Sequence, residues 1–371
     1  MSKESDVLLT VADAVCDIDD SLQDENSTRF DAKMDPELQK LLVAMQCLEI
    51  IRALFEHIQM PPRSDPSFHC LLQRFIAPCV QNKNALLRQT GVHCLGLACY
   101  VDKNLSIENL NIFLHTFQSE ESDGKKLVLQ IVFDFVMVHG IDIIDSNTLI
   151  YIIKHALEFE DPEILTLAAE GASKLLIMKF ITDEEILEAL LVLYFHPQTA
   201  TQHRLRQCLS CFLPMYALSS VENQAHLANI VVSAFSTLTI SYEEENQGLP
   251  PADIAAQIIE WTDYRRIVRL ENNKGDESHS IASNHGRVAV LLLECMIQEP
   301  DVQKEGIKML NMLFVDDKIL ADERKRILKL VGDIEPMIII DPTSLKGLKR
   351  FRDKVQDSKE KIKAEDSEDS E

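Results

Sequence analysis

Residues 205–220 read LRQCLSCFLPMYALSS, with a polar start, an apolar middle and one internal proline. The pattern predicts a helix buried along most of its length and bent once, at Pro214. A proline inside a helix forfeits a hydrogen bond and costs roughly 3 kcal/mol. A lone helix would break there, whereas one clamped between neighbouring helical layers can run on.

The surroundings supply such layers. First helices are predicted to begin near residues 84 (NALLRQTGVHCLGLACYVD), 125 (KKLVLQIVFDFVMVHG), 161 (DPEILTLAAEGASKLLIMK) and 201 (TQHRLRQCLSCFLPMYALSS). Each is followed by a second, starting near residues 107, 146, 182 and 221. Two helices per unit at a spacing of about 40 residues is the period of HEAT-type solenoids. Gly91, Gly96 and Ala98, like Ala168, Ala169, Gly171 and Ala172, are small positions that let helices approach closely. Strand signals are nearly absent, because the β-branched runs sit inside helical periods. The predicted fold is therefore all-α: a HEAT-repeat α-solenoid, a superhelical stack of helical hairpins, with its repeats over 84–240.

Outward from the repeats, residues 1–35 are acidic and read as mostly disordered, or as a helix ordered only by contact. Asp35-Pro36-Glu37 opens the first of the N-terminal helices, over 36–83, with an N-cap, a proline at the first helical position and an acid in the first turn. A second such helix is expected over 67–80, bent at Pro78. Residues 242–248 (YEEENQG) read as an acidic loop, and Pro250-Pro251 opens a helix running on to residue 270. Residues 271–286 read as a mobile polar loop inside a stretch of less regular helices over 249–363, and 364–371 as an acidic tail.

The chain carries 37 Lys and Arg against 60 Asp and Glu, a formal charge of −23. That argues for solubility and against non-specific attraction to DNA or anionic lipid. Nine cysteines, odd in number and irregularly spaced, fit buried thiols of a reducing compartment better than a disulfide framework. The N-terminus lacks the basic region of a signal peptide, and no run approaches the length of a membrane span. A cytosolic or nuclear protein is expected, with no membrane partner.

Catalytic patterns are missing. Cys208-x-x-Cys211 lacks a second ligand pair for zinc and lies within a helical period, so both are read as small core residues, as are Cys94 and Cys99. No HExxH, GxSxG or glycine-rich phosphate loop occurs, so no enzyme, cofactor, metal or small-molecule substrate is expected. Three basic groups remain: Lys125 and Lys126; Arg265, Arg266 and Arg269; and Lys346, Lys349, Arg350 and Arg352. Each could contact phosphate, and each also fits a solvated helix end.

Several stretches resemble the C-terminal part of the CAP-G-type HEAT subunit of condensin: residues 87–110, 193–220 and 251–263. The specific words are Cys94-Leu95-Gly96-Leu97 with Asp102-Lys103; Tyr194-Phe195 with Pro197; Leu205-Arg206-Gln207; Tyr216-Ala217 with Ser219-Ser220; and Glu260-Trp261-Thr262-Asp263. The likeness covers roughly 84–270, and His196 departs from the asparagine expected before the proline. The resemblance implies a non-ATPase regulatory subunit that binds the kleisin chain and, through it, the SMC subunits. It further implies double-stranded DNA binding in mitotic chromosome condensation, in the nucleus and on chromosomes with a cytoplasmic pool. Arg265, Arg266 and Arg269, just after the family-like EWTD word, are the foremost DNA candidates, with Lys125 and Lys126 beside them. The rival reading is a general HEAT or armadillo scaffold, or transport adaptor, gripping a peptide on its concave face.

Overall fold

A computed structural model describes residues 3–20, 35–58, 65–245, 247–267, 282–316, 318–337 and 342–368. Among them are seventeen α-helices and no strand. They are α1 (Lys3–Asp20), α2 (Pro36–His57), α3 (Pro66–Cys70), α4 (Ala77–Val80), α5 (Ala85–Val101), α6 (Lys103–Ser119), α7 (Ser122–His139), α8 (Ser146–Leu157) and α9 (Pro162–Ile177). There follow α10 (Glu184–Phe195), α11 (His203–Ser219), α12 (Val221–Glu245), α13 (Pro251–Thr262), α14 (Asn284–Gln298), α15 (Gln303–Met312), α16 (Ala321–Ile334) and α17 (Pro342–Glu368). The chain divides into two compact units, residues 1–152 with 159–171, and residues 153–158 with 172–371. No described helix is long and apolar enough to cross a membrane.

Several helices start where side chains satisfy the exposed amide groups of a first turn. Asn84 accepts from the N–H groups of Leu86 and Leu87, Asp102 from those of Asn104 and Leu105, and Asp183 from that of Ile186. Asp102 starts α6 four residues before the expected position.

In the first unit α5 packs on α2, α4, α6 and α7, and α6 on α7. Backbone approach is close where α4 meets α5: a Cβ at Gly91 would lie 2.9 Å from the Val80 nitrogen. Only glycine fits against backbone at that distance. The segment expected as one helix bent at Pro78 is instead α3, a π-helical stretch (Leu71–Ile76) and α4. Pro78 cannot donate, and the widening just upstream, where the Ala77 N–H reaches Leu72 O, absorbs the mismatch.

In the N-terminal segment the structure takes the second of the two expected forms, a helix ordered by contact, over residues 3–20. Helix α1 occupies 3–20 and buries Leu8, Ala12 and Val15, packing on α2 and α3. The spacing of those residues gives one apolar stripe, and contact with α2 supplies what the acidic helix lacks alone. Residues 21–34 lie outside the described set.

In the second unit, α10, α12, α14 and α16 pack in succession, as do α11, α13, α15 and α17. Two alternating layers, each helix packing on the next but one and most on their neighbour in chain order, are the packing of stacked hairpins. The alternation continues beyond 240, where less regular helices were expected. Helix α12 runs to Glu245, through most of the expected acidic loop, and α17 reaches Glu368, into the expected tail.

Helix α11 runs through Pro214 and buries Leu205, Leu209, Phe212, Leu213, Tyr216 and Ala217. It is not buried along most of its length: Ser210, Cys211 and Met215 are exposed. The carbonyl that Pro214 leaves unpaired belongs to Ser210, on the exposed side where water can satisfy it. Cys211 is exposed and Cys208 half-buried, so the pair is not core, whereas Cys94 and Cys99 are.

Leu209 is wholly buried. Leu209→Asp is expected to cost about 3–5 kcal/mol by leaving an unpaired carboxylate between layers. Thermal melts followed by circular dichroism at 222 nm check this, and a melt matching the parent would overturn the buried-face assignment.

Candidate functional site

The family-like words, dispersed between residues 194 and 263, converge in space. Trp261 packs against Tyr194 and Phe195, with ring centroids 5.9 and 6.0 Å apart. The Arg206 guanidinium sits 5.0 Å from the Tyr194 ring centroid and donates to the Tyr194 carbonyl. Ser219 and Ser220 accept from the Asn223 side chain and backbone N–H, at 2.9 and 3.1 Å, and so shape the start of α12. One residue on, Gln224 is wholly buried.

Gln224 ends α13. Its amide donates to Trp261 O at 3.0 Å and Asp263 O at 3.1 Å, and its oxygen accepts from Asn284 Nδ2 at 2.8 Å. The His285 ring adds a second clamp: Nδ1 accepts from the Phe314 N–H at 3.0 Å, which leaves Nε2 to donate to Ile259 O at 3.1 Å. Carbonyls that a helix C-terminus leaves open are thereby met by side chains of α12 and α14.

This termination decides where the predicted arginines lie. The helix expected to reach residue 270 stops at Thr262, and a short 3-10 turn follows over Tyr264–Arg266. Arg265 therefore lies beyond the end of α13, in the 3-10 turn, and the expected pairing with Arg269 on one helix face falls outside the described residues. Arg265 makes a two-pronged ion pair with Asp263, Nε to Oδ1 at 2.8 Å and Nη2 to Oδ2 at 2.6 Å. Its guanidinium stacks 3.5 Å from the Phe314 ring centroid. Burial would raise Asp263, but the Arg265 side chain and backbone N–H outweigh it and hold the carboxyl below its ordinary range. Arg266 pairs with Glu260. The side chains of Arg265 and Arg266 remain 46% and 54% exposed. Below them, Tyr264 donates to Asp316 at 2.7 Å, and Arg324, 4% exposed, reaches Asp316 O and Val355 O at 2.9 and 3.2 Å.

Lys125 and Lys126 serve the first unit. Lys125 caps α6 by donating to Phe117 O at 2.8 Å, between the rings of Phe117 and Phe159. Lys126 bridges Asp123 and Glu163. In the third group, Lys349 and Arg352 both pair with Glu335. Sequence reading missed Gln224, Asn284, His285 and Arg324. Ser283, Asn284 and His285 fell in the stretch read as a mobile loop over 271–286, yet Ser283 and His285 are 2% exposed and α14 begins at Asn284. Residues 271–281 lie outside the described set.

The first unit also carries a groove along α6. One part, about 320 Å³, has Leu72, Leu95 and Ile112 in its floor and Gln73, Gln81 and Asn109 in its walls. A second part, about 580 Å³, shares Val80, Gln81 and Ile112 and reaches His115 and Glu120. Among the described residues no group of histidines, cysteines and acids is placed to hold a metal ion.

Comparison with known proteins gives consistent likenesses. The family described as nuclear condensing complex subunits, C-terminal domain, matches residues 46–315. The chain is 29% identical over 340 residues to condensin complex subunit 3 of Schizosaccharomyces pombe, covering 87% of this chain and 38% of that one. It is 24% identical over 333 residues to the same-named subunit of Saccharomyces cerevisiae, covering 85% and 32%. The chain thus spans well under half the length of these relatives. Among solved structures, the crystal structure of the S. pombe condensin Cnd3–Cnd2 subcomplex matches at a TM-score of 0.80 and 26% identity, covering 97% of this chain and 46% of that one.

The His285 clamp makes stability depend on pH. Burial is the main cause that pushes the imidazole below its usual range, Arg265 adds to this and Asp263 opposes it. The folded state therefore prefers the neutral ring, so the contribution is complete above about pH 6.5 and is lost as pH falls through the lowered value. Melts between pH 7.5 and 5 are expected to show a steeper loss for the parent than for His285→Gln. Parallel curves would remove His285 as a cause.

Proposed function

Because the chain belongs to the family of nuclear condensing complex subunits, through their C-terminal domain, we propose that it acts as a non-catalytic regulatory part of condensin that binds the kleisin subunit. Cnd2, the partner in the solved Cnd3–Cnd2 subcomplex, represents that class of ligand. SMC subunits join through the kleisin and carry the ATP hydrolysis, and the setting is the nucleus and mitotic chromosomes, with a cytoplasmic pool.

The observation that carries this reading is the assembly of the family-like words between residues 194 and 263 into one site. Tyr194, Arg206, Ser219, Ser220 and Trp261 are held within a single network around Gln224 and the end of α13. A generic stack of helical hairpins needs apolar faces but not these particular contacts.

The groove along α6 is the proposed seat for an extended kleisin segment. Its apolar floor can bury side chains, while the carboxamides of Gln73, Gln81 and Asn109 can both donate to and accept from a main chain. The half-buried Ile112, common to both parts of the groove, is the residue to change. Ile112→Glu is expected to weaken binding of a purified kleisin fragment at least about tenfold, about 1.4 kcal/mol, with little change in melting temperature. Isothermal titration calorimetry measures it. Parent-like affinity in the variant would move the seat elsewhere, and no kleisin binding by the parent would overturn the function itself.

DNA contact belongs to the same proposal in a minor role. Arg265 and Arg266 are half exposed but already paired, so each phosphate contact must compete with a carboxylate. Two contacts imply a log–log salt slope no steeper than about −2. Fluorescence anisotropy with a labelled duplex is expected to show weak binding at low salt, reduced in the Arg265→Glu/Arg266→Glu chain. An unchanged isotherm in that chain would exclude these arginines.

A further inference from the structure

Helix α1 is held on the first unit by an apolar stripe and one cluster of charges. Arg74, in the π-helical stretch, donates to Asp19 at 2.8 Å and Asp20 at 2.6 Å in the last turn of α1. These pairs are partly exposed, and salt weakens them. Beside them, about one turn back from each side of those ion pairs, Cys16 of α1 and Cys70, the last residue of α3, are both half-buried where α1 packs on α3, and Cys70 is near enough to perturb the Cys16 thiol. Cys47 and Cys79 lie nearby but buried, the Cys47 thiol pointing at Val15 O at 3.8 Å. Cys16 and Cys70 are therefore the thiols of this cluster that combine proximity across the α1–α3 seam with access from solvent.

We propose that Cys16 and Cys70 form a redox clasp, which peroxide closes to a disulfide that fastens α1 to α3. The thiolate of one cysteine attacks a peroxide oxygen. The O–O bond breaks, hydroxide leaves, and the sulfur becomes a sulfenic acid. The second thiolate then attacks that sulfur, the S–O bond breaks, and a second hydroxide leaves. With the two thiol protons, the products are one disulfide and two waters: the sulfur pair gives up two electrons and the peroxide oxygens accept them. The new bond spans from residue 16 to residue 70, a long loop whose closure restricts the unfolded chain and pins α1 independently of salt.

The surroundings set the speed. Burial and the neighbouring Cys70 raise the Cys16 thiol, and Arg74 pulls it back only in part. Thiolate is therefore scarce at neutral pH, and closure quickens by up to about tenfold per pH unit below that raised value. The clasp responds to sustained rather than brief oxidation. This inference does not depend on the proposed kleisin or DNA contacts.

The test uses the full chain and hydrogen peroxide, followed by alkylation, non-reducing digestion and mass spectrometry. The expected result is a peptide pair joined through Cys16 and Cys70, restored to separate alkylated peptides by dithiothreitol. In the oxidised chain, amide exchange in α1 at high salt is expected to slow by at least about fivefold. Cys16→Ser and, separately, Cys70→Ala are expected to abolish both effects. Exposed Cys211 reports internally that oxidant reached the protein. Oxidised Cys211 with no Cys16–Cys70 link would overturn the proposal, as would a link joining Cys16 to Cys47 instead, or unchanged exchange in the linked chain.

Discussion

The buried carboxamide of Gln224 is the contact on which the second unit's architecture turns. Stacked hairpins bring helix ends into the interior, and each end carries carbonyls with no partner of their own. Gln224 satisfies two of these at the end of α13 and is itself fully satisfied by Asn284. A buried polar group left without a partner costs about 1–3 kcal/mol, so the three groups depend on one another. Through them α12, α13 and the start of α14 share a single register. His285 extends the same logic to the end of α15, and Arg324 to α17, so the polar interior reinforces the layering that apolar burial begins.

The same economy governs the chain's cations. In a protein of net charge −23, many lysines and arginines pair across from one helix to a nearby one. Arg88 meets Glu120, Lys126 meets Glu163, Lys154 meets Asp183 and Glu185, and Lys179 meets Glu222. Each exposed pair adds little by itself, but together they select which helix neighbours which. A cation spent on a seam offers less to phosphate. This is why the basic groups, conspicuous as clusters in the linear chain, take only a minor part in the proposed function, and the groove along α6 the larger one.

Local pattern was enough for the all-α class, the two-helix period and most helix starts, because those rest on interactions within a few residues. Asn84, Asp102 and Asp183 cap their own first turns, and Leu205, Leu209, Phe212 and Tyr216 recur at the helical period whatever surrounds them. The family-like words were also legible in order along the chain. What they build together was not, since Tyr194, Arg206, Gln224 and Trp261 meet only when α10, α11, α12 and α13 have packed.

Tertiary structure alone decided the rest, and the physical reason is the same each time: a partner distant in sequence changes what a local pattern means. The polar run before residue 287 reads as loop until Gln224, Ile259 O and Phe314 N–H supply partners that make Asn284 and His285 the buried start of a helix. The arginines after Trp261 continue a helical pattern until Gln224 and Asp263 end the helix beneath them. The acidic N-terminus reads as disorder or as a helix ordered only by contact, and packing on α2, with Leu8 and Val15 buried, decides for the helix. Helical period belongs to the sequence by itself; burial, termination and the pairing of charge belong to the stack.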